Sequence, residues 1–328
     1  MPARVRARQL PPSFKLTVEY GSGYESLLGL AMFTGDEPQE SYEVGKAWFA
    51  RARAAAPREL TVAVRSLLGT EGAQWLLLLG MVHEAGGDFS VQSLLRHLSR
   101  RPAGEVKEAF MGGRLPPGRS QDVSAGATRR LAKLGVAEVK RLALLAIEGW
   151  SRQVLPRLGD HAEILAAEAT AKRRAARRLS ATRLIELATS GVVYEGEAGI
   201  DQVLLIPSLV TRPWVTLSEW DSLKLICYPA QAADASSGDS GDQRLATIYR
   251  ALGDETRLRL LRALSAGDRG VTDLAETLGM AKSTIHEHLA ALRTAGLIRV
   301  NIGADKRYGL RPGLPDLNRL LKDYLSRQ

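Results

Sequence analysis

Between Gly270 and Leu297 the chain reads GVTDLAETLGMAKSTIHEHLAALRTAGL. No other stretch narrows the possible folds so far. The pattern predicts two helices around a tight turn. In the first, Thr272 to Leu278, the apolar residues are Leu274, Ala275 and Leu278. Gly279 follows, where a left-handed C-terminal position is cheapest without a Cβ. The second helix is predicted from Lys282 to Ala295. Its Ile285, Leu289 and Leu292 recur at i, i+4 and i+7, which makes one buried stripe. Ser283, His286, Glu287 and Ala290 fall on the opposite face. Short polar side chains at the start of an exposed second helix suit a DNA major groove. That groove admits one helix, and residues near the helix N-terminus reach base edges.

The flanks extend the pattern. Upstream, GDETRLRLLRALSAG places Asp254 as an N-cap, Leu258, Leu261 and Leu264 on one face, and Gly267 at the end. Downstream, Ile298, Val300 and Ile302 alternate, Gly303 to Lys306 make a turn, and Tyr308 and Leu310 resume the alternation. Three helices followed by a hairpin with Lys306 and Arg307 at its tip predict a winged helix-turn-helix. In this order of five elements the last quarter of the chain resembles the ArsR family of bacterial repressors.

The resemblance implies roles residue by residue. Lys282, Ser283, His286 and Glu287 take the base-facing positions. Thr272, Thr284, Lys306 and Arg307 take the phosphate and wing positions. Apolar stripes before and after the winged core imply a dimer interface through Leu245, Ile248, Tyr249, Leu317, Leu320, Leu321 and Tyr324, with packing on the protein's own N-terminal part as the alternative. Two departures from the family pattern stand out. Ala281 replaces a common capping Ser, at about 1 kcal/mol to the helix start. Glu287 puts a negative charge toward phosphates, where it either accepts from cytosine N4 or turns away. Metal-sensing members use a Cys-x-Cys pair, at positions held here by Gly270 and Thr272, or His with Asp from the last helix, which here offers Asp316 and Asp323 alone. Neither set is present, and oxygen ligands alone suit zinc-type ions poorly. No metal and no cofactor are expected.

At 328 residues the chain is long enough for two domains. Net charge is +9. From Gly241 onward there are 15 basic and 10 acidic residues, against 30 and 26 in the much longer remainder. The C-terminal part is therefore the denser in positive charge, as phosphate-facing surfaces require. A single cysteine, Cys227, permits no internal disulfide and fits a reducing cytoplasm. In the apolar run LKLICYP it reads as a small buried hydrophobe. The apolar run Trp75 to Val82 is too short for a bilayer, which needs about 20 residues, and no leader pattern follows Met1.

Mainly α structure with a little β is expected. Residues 1–13 read as a basic disordered arm. Residues 14–230 read as a mostly helical sensor or regulatory domain, opened by a strand FKLTVEY. Helices are expected over Tyr24 to Phe33, Glu43 to Arg53, Leu60 to Leu68, Glu71 to Glu84, Val91 to Leu98, Gly104 to Met111, Ala127 to Leu155 with a break at Gly135, and Asp160 to Ala188. The basic run Lys172 to Arg178 is read as a solvated face. Val192 to Pro229 reads as a short antiparallel β segment. Residues 231–242, QAADASSGDSGD, read as a flexible linker, and residues 243–328 as the winged module.

His286 and His288 are two apart and diverge around their helix, so they cannot chelate. His83-Glu84 lacks the second His of a metalloprotease helix. No catalytic residue is assigned and no enzyme is expected. These observations predict a homodimeric operator-binding repressor, with double-stranded DNA as partner and no membrane, released by a small organic effector held in the N-terminal domain. Trp48, Trp75, Trp150, Trp214 and Trp220 are read as core or as pocket lining. The alternatives are an N-terminal protein-interaction platform without ligand, or an enzyme fused to a DNA-binding tail.

Overall fold

The computed structural model describes residues 14–36, 39, 42–115, 123–159, 161–230, 240–302, 306–311 and 317–326. The basic arm 1–13 and residues 231–239 of the expected linker lie outside them.

In chain order the elements begin with β1 (Lys15–Val18) and α1 (Ser22–Thr34). Then come α2 (Gly45–Ala55), α3 (Arg58–Leu67), a tight helical turn at Gly72–Leu78 and α4 (Leu79–Ala85). They continue with α5 (Val91–Arg100), α6 (Ala103–Phe110), α7 (Ala125–Ala132) and α8 (Val136–Gly149), the last widening into a π segment at Trp150–Val154. Next are α9 (Ala162–Ala176), α10 (Ala181–Ala188), β2 (Val192–Tyr194), β3 (Gln202–Ser208), β4 (Thr216–Trp220) and β5 (Leu223–Pro229). The C-terminal part holds α11 (Ser240–Leu252), α12 (Glu255–Ser265), α13 (Val271–Leu278), α14 (Lys282–Thr294), β6 (Ile298–Ile302), β7 (Arg307–Leu310) and α15 (Leu317–Leu325).

The expected antiparallel segment is corrected in two ways. First, β1, β3, β5 and β4 form one sheet in that order. β1 runs parallel to β3 and β3 parallel to β5, while only β4 is antiparallel. Second, β2 leaves that sheet altogether and pairs in parallel with β6, in the order β2-β6-β7. The physical reason lies in burial. Strands covered on both faces carry near-continuous apolar runs, as in VLLI and, apart from Lys224, LKLICY, where a half-exposed antiparallel strand would alternate.

Successive side chains on these strands point to opposite faces. Leu204, Ile206, Leu225 and Cys227 enter one core, with the helices α1 to α8. Val203, Leu205, Ile226 and Tyr228 enter the other, with α9, α10, β2 and the interior of the winged module. The C-terminal module therefore shares a core with residues from Val18 to Tyr228. Cys227 is fully buried, as expected, and burial raises its thiol pKa. Trp48, Trp75, Trp150 and Trp220 are buried as well, which leaves Trp214 alone half-exposed.

The helix expected over Asp160 to Ala188 is broken, because Ser180 caps a new helix by accepting from the Arg183 amide. The solvated reading of Lys172 to Arg178 holds for Arg173, Arg174, Arg177 and Arg178, which are exposed, but not for Lys172. Lys172 is buried and its ammonium sits 2.6 Å from Glu168. Arg173 donates to the Val18 carbonyl at 2.8 Å and lies over the Tyr20 ring. Arg173 fastens α9 to β1 through that bond, and the Lys172 ammonium lies 5.9 Å from the Tyr228 ring of β5.

Gly80 shows how tightly the first core is closed. A Cβ there would lie 2.0 Å from Trp220 Cγ. That indole is fixed by its Nε1, which donates to Glu84 at 2.9 Å, and by the Arg114 guanidinium over its ring. Helix propensity alone would favour Gly80→Ala by about 1 kcal/mol. Overpacking costs about 1–3 kcal/mol and occasionally more. Gly80→Ala is therefore expected to lose stability in urea unfolding; a gain would mean that Trp220 moves freely.

Candidate nucleic-acid interface

Asp254 starts the winged module as expected. Its carboxylate accepts from the Arg257 amide at 2.9 Å, and this bond holds its pKa below the usual value. The buried face of α12 is Leu260 and Leu264, whereas Leu258, assigned to that face from the sequence, is exposed. Gly279 adopts φ 68 and ψ 36, the left-handed conformation the turn requires. Ala281 precedes α14 without a side-chain cap.

On α14, Ile285, Leu289 and Leu292 are buried as the periodicity predicts. Lys282, Ser283, His286 and Glu287 are exposed on the first two turns. Thr284 is half-buried, and Thr272 is exposed on α13. Ala290, placed on the open face from the sequence, is buried. The open face thus ends after two turns. One turn further along the same face, Arg293 is 6% exposed. Its guanidinium donates to the Thr189 carbonyl and, at 2.8 Å, to the Pro213 carbonyl. Burial lowers its pKa to about 10. The start of α14 faces outward while its end is clamped to the N-terminal part of the chain.

The wing supplies the next basic groups. Lys306 and Arg307 are both exposed at the start of β7, while 303–305 lie outside the described residues. Arg307 donates to the Asp268 carbonyl at 2.7 Å. The Lys306 ammonium sits 5.7 Å above the Tyr308 ring. Its accessible surface is large, yet protein rings its base. Burial first, and Arg293 second, lower its pKa. Burial first, and Lys306 second, lower that of His286. His288 is half-buried with Nδ1 3.8 Å from Asp254.

Ser283, His286, Glu287 and Lys306 line one cleft of about 440 Å³, together with Arg293. Its opposite wall is Tyr42 and Trp214 to Leu217, and its floor includes Val192, Val300 and Tyr308. Lys282, Thr272, Thr284 and Arg307 stand outside it. Sequence reasoning missed Arg293, the Trp214 wall and the β2 floor. For Arg293 a signal existed: it lies at i+7 from His286, on the face otherwise assigned to base contacts.

The dimer set divides. Ile248 and Leu245 are buried within the chain and offer nothing to a partner, which corrects their assignment. Ile248 fills the core that the winged module shares with β2 and the first sheet. Tyr249, Leu321 and Tyr324 are exposed, joined by Leu258 and Leu325. α11 packs against α15. The side chains of Leu317 and Leu320 lie outside the described residues. Among the described residues no three His, Cys, Asp or Glu side chains converge as metal ligands. None of the described helices is long and apolar enough to cross a membrane.

Three helices, the left-handed turn and the hairpin define a winged helix-turn-helix. Residues 254–300 match the bacterial regulatory protein, arsR family, so this segment is an ArsR-family helix-turn-helix domain; most of the chain is not covered. The HTH-type transcriptional regulator CmtR of Mycobacterium tuberculosis is 40% identical over 70 residues, 21% of this chain and 59% of that protein. The regulator NmtR of the same organism is 40% identical over 55 residues, 17% of this chain and 46% of that protein. The putative arsenical resistance operon repressor ArsR2 of Halobacterium salinarum is 35% identical over 74 residues, 21% and 62% respectively. The chain spans less than two thirds of these relatives' own length. A solution structure of the homodimeric winged helix-turn-helix domain of Mb0332 from Mycobacterium bovis aligns at 26% identity. It covers 29% of this chain and 87% of that one at a TM-score of 0.23, too low to bear on the argument.

Proposed function

We propose that the protein is a DNA-binding transcriptional regulator. It acts as a homodimeric repressor, and an organic effector held by its N-terminal part releases it from its operator. That part serves as a sensor, without enzymatic activity. The observation that carries the reading is the outward-facing start of α14 beside the wing bases Lys306 and Arg307. The names of the similar proteins, regulators and a putative repressor, support it. The test is binding of labelled duplex DNA across a salt series. Replacing Lys306 and Arg307 together with alanine is expected to weaken binding to every sequence. It should also reduce the salt slope by about one unit per lost phosphate contact. An unchanged affinity and slope would remove the wing from the interface.

A two-fold dimer matches palindromic half-sites. The exposed Tyr249, Leu321, Tyr324 and Leu325 offer it an apolar face. Tyr324→Glu is expected to shift the protein toward monomer in sedimentation and to weaken full-site binding. A wild-type protein that sediments as a monomer at micromolar concentration while binding a full site tightly would rule out this assembly.

A further inference from the structure

The cleft beside α14 is unusual in its charge. Lys306 and the buried Arg293 both line it beside His286, and among the described residues Glu287 is the one carboxylate on its lining. Arg293 is matched only by neutral carbonyls. Lys306 has no carboxylate partner among the described residues. Arg293 is buried with Lys306 near it at the cleft, and an anion placed beside both would offset the cost of the buried guanidinium. Apart from Ser283 and Thr216 the rest of the lining is apolar or aromatic, with Trp214, Tyr42, Tyr308 and Ile302 among it. A volume of about 440 Å³ lies in the range of small-molecule sites.

We propose that this cleft binds an organic anion with a flat apolar body, such as an aromatic carboxylate. Its charged end lies at the Lys306–Arg293 corner and its body lies against Trp214 and Tyr308. The second half of the inference rests on the DNA-binding reading above. DNA phosphates need the same Lys306, and bases need the same Ser283 and His286, so the anion and DNA compete. The walls also come from both parts of the chain: Tyr42 and Trp214 to Leu217 from the first, α14 and the wing from the second. A ligand that bridges them holds the N-terminal part beside the reading surface. It occupies the surface that DNA needs, so by linkage each ligand weakens binding of the other.

Trp214 supplies the readout, because the other four tryptophans are buried. Full-length protein is titrated with hydrocinnamate and, separately, with its uncharged amide, while tryptophan emission is followed. The expected result is saturable binding of hydrocinnamate, tighter than the amide by about tenfold, as a charge-assisted contact implies. Lys306→Gln should reduce this preference severalfold, and Trp214→Phe should remove the signal while calorimetry still detects binding. Equal affinity for acid and amide would overturn the anion site. So would an unchanged preference in Lys306→Gln. In a second arm, hydrocinnamate is added to the wild-type protein on a labelled duplex of mixed sequence at low salt. Release of the DNA in proportion to occupancy supports competition, and simultaneous binding of both overturns it. A protein that binds no DNA under any condition would sink the DNA-binding reading, while the emission titration would still decide the anion site.

Discussion

A Lys224→Met variant is expected to lose about 3–5 kcal/mol of unfolding free energy. Lys224 lies on β5 and is 3% exposed. Its ammonium sits 2.5 Å from Glu219 on β4 and 3.3 Å from Glu197 in the loop before β3. Glu219 and Lys224 are direct cross-strand partners. The Tyr194 ring of β2 lies 5.9 Å from the same nitrogen, so this one cation touches both sheets. Methionine would fill the space but remove the ammonium that lies between two buried carboxylates. Domains are stable by only about 5–15 kcal/mol, so the loss should be plain in a urea midpoint. Glu197→Gln and Glu219→Gln added to Lys224→Met should recover most of it, because a neutral, well-packed site needs no cation. A single variant as stable as the wild type would show that water already reaches these carboxylates.

Arg293→Ala should cost about 2–4 kcal/mol. The substitution removes two donors from the carbonyls of Thr189 and Pro213 and empties the space under the end of α14. Arg293→Lys retains the charge but cannot fork to both carbonyls, and it should fall between alanine and the wild type. If both variants melt together with the wild type, α14 is held by its apolar stripe alone and the clamp is incidental.

How much of this was legible depended on where the forces act. The winged module was, because its signals are local: the Asp254 cap, the left-handed Gly279 and the Ile285–Leu289–Leu292 stripe each specify structure within one or two turns. The exposed start of α14 followed from the same periodicity. Its buried end did not, since nothing in ALRTAG says that a distant carbonyl will receive Arg293. Likewise, Val192–Tyr194 carries strand propensity, which says nothing about its partner. Pairing with Val300 to Ile302 rather than with β3 is settled by burial of Tyr194 beside Lys224 and by the register of the two strands. The parallel pairing of β3 with β5 was partly readable. Their near-continuous apolar runs, interrupted only by Lys224, argue against the antiparallel reading drawn from their turn residues.

The pairing of β2 with β6 also has a consequence for the order of synthesis. β2 leaves the ribosome well before β6, and at about 5–20 residues per second the interval is on the order of ten seconds. Throughout that time the edge of Val192–Tyr194 that will receive Val300 to Ile302 has unpaired amides and carbonyls. An apolar edge in this condition is a template for any strand that reaches it first. On a polysome the nearest such strand belongs to a neighbouring nascent chain at the same stage or further along. Slow translation downstream of Tyr194 would therefore lengthen the period in which copies exchange wings, and rapid completion of the C-terminal quarter would protect the monomeric register.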